Sequence, residues 1–415
     1  MQAHGQRTVL STEANQARSA LRIAIAGALS LAVAMGIGRF AFTPLMPLML
    51  QEGSLDIATA SWLASANYLG YLIGALLCTF QPALWARWSW PALASSGMVK
   101  VGLILTCTLT AAMAIDFASA WPWLRFITGI TTAIGFVYTS TWCLGHLAQM
   151  NRPSAGGIVY MGPGIGITCS GLLASVMVQL AWPASWGWLA FALLALMISV
   201  FLWPVFNNDD DLHANTTSRF SAVATGGSQI EKATLVIAYG LAGFGYIITA
   251  TFLPVMARTA LPDSVWLDLF WPLLGIAVAL GALLASRIPS RIDQRALLIG
   301  CYLMQSLGVV LVNWIPTLTG FAIGSVLVGL PFTAITFFTM QLGRQLHPQS
   351  APAIIGLLSG AFAFGQIIGP PVAAAMLARA ANHATGFAWA IDLAAGSLLI
   401  GAAMYGWMIK RFPAR

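Results

Sequence analysis

The sequence predicts an all-helical membrane protein: twelve spanning helices in two pseudo-symmetric six-helix bundles, with both termini cytoplasmic. Three observations predict it. Of 415 residues, 59% are hydrophobic and 7% charged, whereas ordinary soluble domains carry about 25% charged residues. Apolar runs of roughly 20 residues recur along the whole chain, each long enough as a helix to cross the hydrocarbon. A constant offset also lays the first half on the second. A membrane barrel would show alternating segments of about ten residues instead.

The spans, in order, are 21–50, 57–80, 92–115, 121–147, 154–181, 186–206, 233–257, 264–286, 296–314, 317–343, 352–378 and 385–409. The first follows the polar stretch Met1–Ala20, with Arg7 and Arg18, and is far longer than the apolar region of a signal peptide, so it stays as a span. Asp56 and Asp263 stand where they would cap the second and eighth helices. Between the sixth and seventh spans lies "NNDDDLHANTTSRFSAVATGGSQIEK", 207–232, the long polar segment of the chain. It reads as a cytoplasmic linker between an N-terminal half, 1–206, and a C-terminal half, 233–415. Cys78, Cys107, Cys143, Cys169 and Cys301 all fall inside spans with no CxxC pair, which makes them packing residues and neither disulfides nor metal ligands.

The net charge of +7 is explained by where the cations lie. With the amino terminus cytoplasmic, one side collects Arg7, Arg18, Arg22, Arg87 and Arg152 from the first half, Arg219 and Lys232 from the linker, and Arg287, Arg291, Arg295, Arg344, Lys410, Arg411 and Arg415 from the second half. The other side holds Arg258 and Arg379. This is the positive-inside pattern, and nucleic acid is not needed to account for the charge. Three cations remain within spans: Arg39, Lys100 and Arg125.

The offset is 207 residues, since 243 − 36 and 256 − 49 both equal 207: Gly36 meets Gly243, Gly38 meets Gly245, Pro47 meets Pro254 and Met49 meets Met256. Asp56 then meets Asp263, the run Gly74–Leu77 meets Gly281–Leu284, and Gly162 with Pro163 meets Gly369 with Pro370. Shared apolar bias does not explain matches in glycine, proline and aspartate, whose roles are backbone geometry and capping.

Two parallel six-helix halves joined by a cytoplasmic loop form the major facilitator arrangement, in which substrate binds near the bilayer midplane between the halves. The sequence resembles that superfamily over essentially its whole length. "LRFITGITTA" in the fourth span looks like the family's RxxxG element, with Arg125 and Gly129 in the matching places; the resemblance links this arginine to coupling. Gly356, Gly365, Gly369 and Pro370 in the eleventh span reproduce the glycine-proline spacing that the family's antiporters carry on helix 5, and Gly162, Pro163 and Gly166 match it in part. Glycine permits close helix approach and proline bends a helix, so Gly162, Pro163, Gly365, Gly369 and Pro370 read as a gating hinge. The loop after the second span, "GALLCTFQPALWARWSW", lacks the aspartate and basic cluster common in the family, and Arg291, Asp293 and Arg295 are a loose substitute. "GIGRFAFTPLMPLM", "ASANYLGYLIGALL" and "FGQIIGPP" look most like the YbfB/YjiJ-like branch.

Ionisable residues inside spans are costly and are functional candidates. Arg39 lies 11 residues before the end of its span, about 16 Å below the outer surface at 1.5 Å per residue. Snorkelling does not reach water from that depth. It either binds substrate in the cavity or bonds carbonyls freed by Pro163, Pro44 or Pro47. Arg125 reads as a second charge nearer the outer mouth, above a stripe of Thr128, Gly129, Thr132, Thr139 and Cys143 that either lines the cavity or joins helices. Lys100 can snorkel to the cytoplasmic interface. Asn67 and Gln366 sit near mid-depth, where amides bridge helices or bind substrate. Tyr246 repeats Arg39, because 39 + 207 = 246, and Tyr239 shares its face. The substrate-binding candidates are therefore Arg39, Asn67, Arg125, Tyr246 and Gln366. Deep acids are scarce: Asp268 belongs to a first turn, leaving Asp392.

A primary pump would need a GxxxxGK[ST] phosphate loop, which the sequence lacks. His4, His146, His213, His347 and His383 fall in tails, loops or span ends, so no nucleophile–base pair or metal cluster forms, and the reading is a non-enzyme without cofactor or metal. The expectation is a monomeric multi-pass transporter of the plasma membrane, moving a small organic anion with or without a proton. The alternatives are a multidrug or metabolite exporter working by proton antiport, or a membrane receptor or scaffold.

Overall fold

The computed structural model describes residues 2–89, 94–207, 228–261, 264, 266–289, 291–347 and 351–412. The first half contains α1 (Gln2–Leu31), a π-helical segment (Ala32–Arg39), α2 (Phe42–Gln51), α3 (Ile57–Arg87), α4 (Ser95–Ala112), α5 (Trp121–Gln149), α6 (Gly156–Val159), α7 (Gly162–Gln179) and α8 (Ala184–Leu202). The second contains α9 (Gln229–Ala260), α10 (Phe270–Ala285), α11 (Gln294–Trp314), α12 (Leu318–Leu346), α13 (Ala351–Arg379) and α14 (His383–Arg411). Among the described residues, eleven stretches are long and apolar enough to cross a membrane. They match every expected span except 121–147. That segment is α5, a helix of 29 residues, whose Arg125, Thr128, Thr131, Thr132 and Thr139 lower its hydropathy.

Boundaries shift in two places. Helix begins at Gln2, well before the expected start at 21. The fifth span is two pieces, α6 and α7, because Gly162 and Pro163 open a new helix where proline has no N–H to continue the old one. The expected caps are half visible. Asp56 Oδ1 accepts the Thr59 backbone N–H at 2.7 Å, and the Thr59 hydrogen bonds hold its carboxyl below the usual range. Asp263, Arg219, Arg415 and linker residues 208–227 lie outside the described residues. All five cysteines are free thiols.

The repeat extends to three-dimensional contacts. A Cβ on Gly129 of α5 would strike the Asn67 carbonyl of α3, and one on Gly329 of α12 would strike the Leu274 carbonyl of α10. The numbers correspond, since 274 − 67 is 207 and 329 − 129 is 200, the later pair having slipped by seven residues. Gly74 against the Ile130 carbonyl and Gly281 against the Leu330 carbonyl repeat the relation. These glycines let two helices touch backbone to backbone.

Between the halves, α3 packs on α13 and α7 on α10. The α7–α10 seam is glycine-built: a Cβ on Gly164 would hit the Ala279 amide and the Gly275 carbonyl. Hydrogen bonds crossing between the halves include Ser65 Oγ to the Ile367 carbonyl (2.8 Å), Tyr68 with Thr251 (3.2 Å) and Thr168 Oγ1 to the Pro272 carbonyl (3.3 Å). All lie in the part of the bundle nearer the α2–α3 turn. Toward the opposite end, which carries Arg87 and Arg411, Gly356 and Gly360 of α13 have open space on the side where a Cβ would project.

Candidate functional site: a buried arginine between the halves

The first span bends where its sequence dictates. Pro44 has no N–H to continue the ladder, the preceding segment is π-helical, and the Thr43 N–H bonds the Phe40 carbonyl (3.2 Å) rather than that of Arg39. The Arg39 carbonyl is thereby freed. Arg125 takes it: its Nη2 donates to the Arg39 carbonyl at 3.0 Å and its Nη1 to the Gly38 carbonyl at 3.1 Å. The Arg125 guanidinium also lies 5.1 Å from the Phe42 ring centre. At 2% exposure it is buried against the first span. Asn67 donates to the Arg125 carbonyl (3.0 Å), joining α3 to α5.

The threonine stripe faces the same way. Thr132 bonds the Gly129 carbonyl of its own helix, whereas Thr139 shares a hydrogen bond with Ser30 of α1 (2.8 Å) and a Cβ on Gly38 would meet Thr132 and Thr106. The stripe thus packs on the first span, and Thr139 bonds across to it.

Arg39 is held differently. It is 3% exposed, and the rings of Tyr71 and Tyr68, one turn apart on α3, lie 4.2 and 4.9 Å from its guanidinium carbon. Its Nη2 donates to Gln366 Oε1 of α13 at 2.7 Å, and the Gln366 amide in turn donates to the Tyr246 hydroxyl of α9. The chain Arg39–Gln366–Tyr246 thus crosses from the first half to the second. Arg39 Nε and Nη1 are buried without a protein acceptor. Among the described residues the ion pairs are Arg258–Asp268 and Arg295–Asp293, neither near it.

Magnitudes separate the two arginines. Taking a guanidinium out of water costs several kcal/mol, and a buried N–H left unpaired costs about 1–3 kcal/mol. Two carbonyls, each about 1.5–3 kcal/mol as charge-assisted bonds, offset much of this for Arg125, which leaves Nε alone buried and unpaired. Arg39 has one such bond and ring contacts of about 2 kcal/mol, so its site is under-satisfied by the protein alone.

The other expected residues fall into place around this frame. Gly162 packs on the Ala28 carbonyl, Gly365 on the Gly240 carbonyl and Gly369 on the Ile247 side chain, while Pro163 starts α7 and Pro370 lies within α13. These contacts are all within one half. Tyr239 bonds Thr336 (3.0 Å) and stacks on Phe362, 4.5 Å between ring centres, as Tyr246 does at 5.6 Å. Lys100 sits 5.4 Å from the Trp203 ring, and Asp392 is exposed on α14. Arg295 bonds Asp293 (2.9 Å) and the Met408 carbonyl (3.4 Å), clasping α11 to the end of α14. Among the described residues no cluster could hold a metal.

Sequence reasoning missed Tyr68, Tyr71 and the Gly164–Gly275 contact. The tyrosines were visible as "NYLGYL" at the depth of Arg39, and the glycines as small residues in the fifth and eighth spans.

Arg39 thus lies buried inside a helical membrane bundle, bonded from the first span to α13, and comparison with known proteins gives the family. Residues 31–405 match the family described as "Uncharacterised MFS-type transporter YbfB"; the chain belongs to that family of multi-pass membrane transporters. No curated protein matches it. Among solved structures it is similar to the nucleoside transporter NupG (16% identity, TM-score 0.69) and to a point mutant of NupG (15%, 0.70). It is also similar to the human organic anion transporter MFSD10, or TETRAN (15%, 0.60). Each alignment covers 94% of this chain and 99% of the other.

Proposed function

We propose that this transporter moves a small organic anion across the plasma membrane by alternating access, as a secondary active carrier. The observation that carries the reading is Arg39: buried between the halves, with Nε and Nη1 unpaired and no carboxylate bonded to it. A guanidinium offers a planar fork to a carboxylate, which an ammonium does not. Tyr246 and Gln366 contact the remainder of the solute, while Arg125 and Asn67 hold the first span in the shape that aims Arg39.

The halves are 1–206 and 233–415, twelve spans in all with α5 as the fourth, and 207–232 is a cytoplasmic linker with both termini on its side. As one half rocks on the other, Gly162 and Pro163 in α7 and Gly365, Gly369 and Pro370 in α13 act as hinges within their own halves. Those in α13 also support a second reading, an exporter exchanging its solute for protons.

The test is uptake of a panel of radiolabelled organic anions into liposomes holding the purified protein, with and without a proton gradient. At least one anion should accumulate, and Arg39→Gln and Arg39→Lys should both abolish its accumulation with the protein still inserted. Unchanged uptake and affinity in Arg39→Gln contradicts the reading.

A further inference from the structure

The two seams between the halves differ in how far they run. On one side, Gly157, Gly164 and Gly171 recur every seven residues along α6 and α7, which keeps them on one helix face. Each is filled by the α10 region: a Cβ on Gly157 would strike the Ser286 hydroxyl, one on Gly164 the Ala279 amide, and one on Gly171 the Pro272 ring. Those partners reach from the first turn of α10 to its C-terminal cap. That seam is packed along its length.

The other seam stops partway. α3 and α13 meet where Ser65 Oγ donates to the Ile367 carbonyl (2.8 Å), and from there α3 runs toward Arg87 as its numbers rise and α13 as its numbers fall. Equal steps bring Leu72 opposite Gly360, since 72 − 65 and 367 − 360 are both 7, and Leu76 opposite Gly356, since 76 − 65 and 367 − 356 are both 11. Such steps return to the same helix face, about 10 and 16 Å along the axis at 1.5 Å per residue. Yet the glycine notches are empty. Among the described residues nothing lies within 4 Å of where a Cβ on Gly356 or Gly360 would be, while Leu72 is half-buried and Leu76 is 38% exposed.

We propose that α3 and α13 form a half-closed zipper: when the halves rock, Leu72 and Leu76 seat on Gly360 and Gly356 and close the end that carries Arg87. This rests on the alternating access proposed above and not on the identity of the solute. Tyr71 and Gln366, which frame Arg39, directly precede Leu72 and Ile367, so the zipper lies immediately beyond the buried cation and seals it from that end. Glycine lets a partner helix approach its backbone, as it does along the filled seam. The stretch after α3, from Trp88 to Val99, carries no charge, so apolar packing takes the place of an ion-pair latch there.

The experiment is copper-phenanthroline oxidation, in membranes, of the double variant Leu76→Cys with Gly356→Cys, the new disulfide being mapped by peptide mass spectrometry. A disulfide needs Cβ atoms about 3.8 Å apart, closer than anything approaches Gly356 here, and irreversible oxidation collects even a minor closed state. The bond between positions 76 and 356 should form. Adding Gly360→Phe should abolish it with the melting curve unchanged, because the new ring enters space that is open in this conformation. Leu72→Trp obstructs the same contact from α3 and should act alike. Ser65→Cys, at a position 3% exposed, reports the rocking itself by reacting with a membrane-impermeant maleimide when the other end of the seam opens. Labelling at 65 without the 76–356 bond overturns the zipper and leaves alternating access standing, as does a bond that survives both obstructing variants. Neither labelling nor bond contradicts alternating access as well.

Discussion

The first span and α9 occupy corresponding places in the two halves and share Gly36/Gly243, Gly38/Gly245 and Pro47/Pro254. One is broken by a π-helical segment and the other runs unbroken for 32 residues. The difference comes from three paired positions. Pro44 corresponds to Thr251 and Arg39 to Tyr246 at an offset of 207, and Arg125 to Ser325 at the offset of 200 that relates α5 to α12. Proline breaks the ladder, a freed carbonyl needs a donor, and Arg125 supplies it; threonine keeps the ladder, and Ser325 merely bonds the Phe321 carbonyl of its own helix. Break and arginine occur together in one half and are both missing from the other. The comparison teaches that Arg125 is tied to the backbone of the first span, whereas Arg39 is tied to a side chain, Gln366 of α13.

The largest expected effect tests that division. Arg125→Gln strands the Gly38 and Arg39 carbonyls, about 1–3 kcal/mol each, so thermal unfolding in detergent should move down sharply and expression should fall. A variant that melts like wild type would remove the structural role. A middle-sized effect sharpens it: Pro44→Thr copies the second half, and Pro44→Thr with Arg125→Ser should melt higher than the sum of the two single changes implies. The expected coupling is about 1–2 kcal/mol by a double-mutant cycle, and strict additivity would show that break and arginine are independent. The smallest effect is a control. Asp392 is exposed on α14, so Asp392→Asn should leave uptake within about twofold and stability within about 0.5 kcal/mol; loss of proton-driven uptake would instead place a proton path there.

Much of this was legible in the chain. Apolar runs and the 207-residue register located the helices, and the depth of Arg39 marked it as unusual, because both depend on local composition and on counting. The partners of the arginines were not legible. Pro44 stood without a proline at 251, a visible sign of a break, yet which cation would meet the freed carbonyl depended on α5 packing against that turn. Depth alone made Arg125 look like a second solute charge; its hydrogen bonds to the Gly38 and Arg39 carbonyls were not visible from depth. The hydropathy of α5 falls short of the other spans because it carries Arg125, which bonds the first span, and a run of threonines whose hydroxyls mostly bond its own carbonyls. Tyr68 and Tyr71 were unremarkable in a helix rich in aromatic and small residues until α3 brought them to within 5 Å of Arg39.

The central claim is that Arg39 is kept for a ligand and not for the fold. Its most direct test is the unfolding temperature of purified Arg39→Gln without added solute, measured beside wild type and Arg125→Gln. The account predicts that Arg39→Gln melts at or above wild type, because it removes a buried charge with two unpaired N–H groups while Arg125→Gln falls. An Arg39→Gln protein that loses as much stability as Arg125→Gln would contradict it.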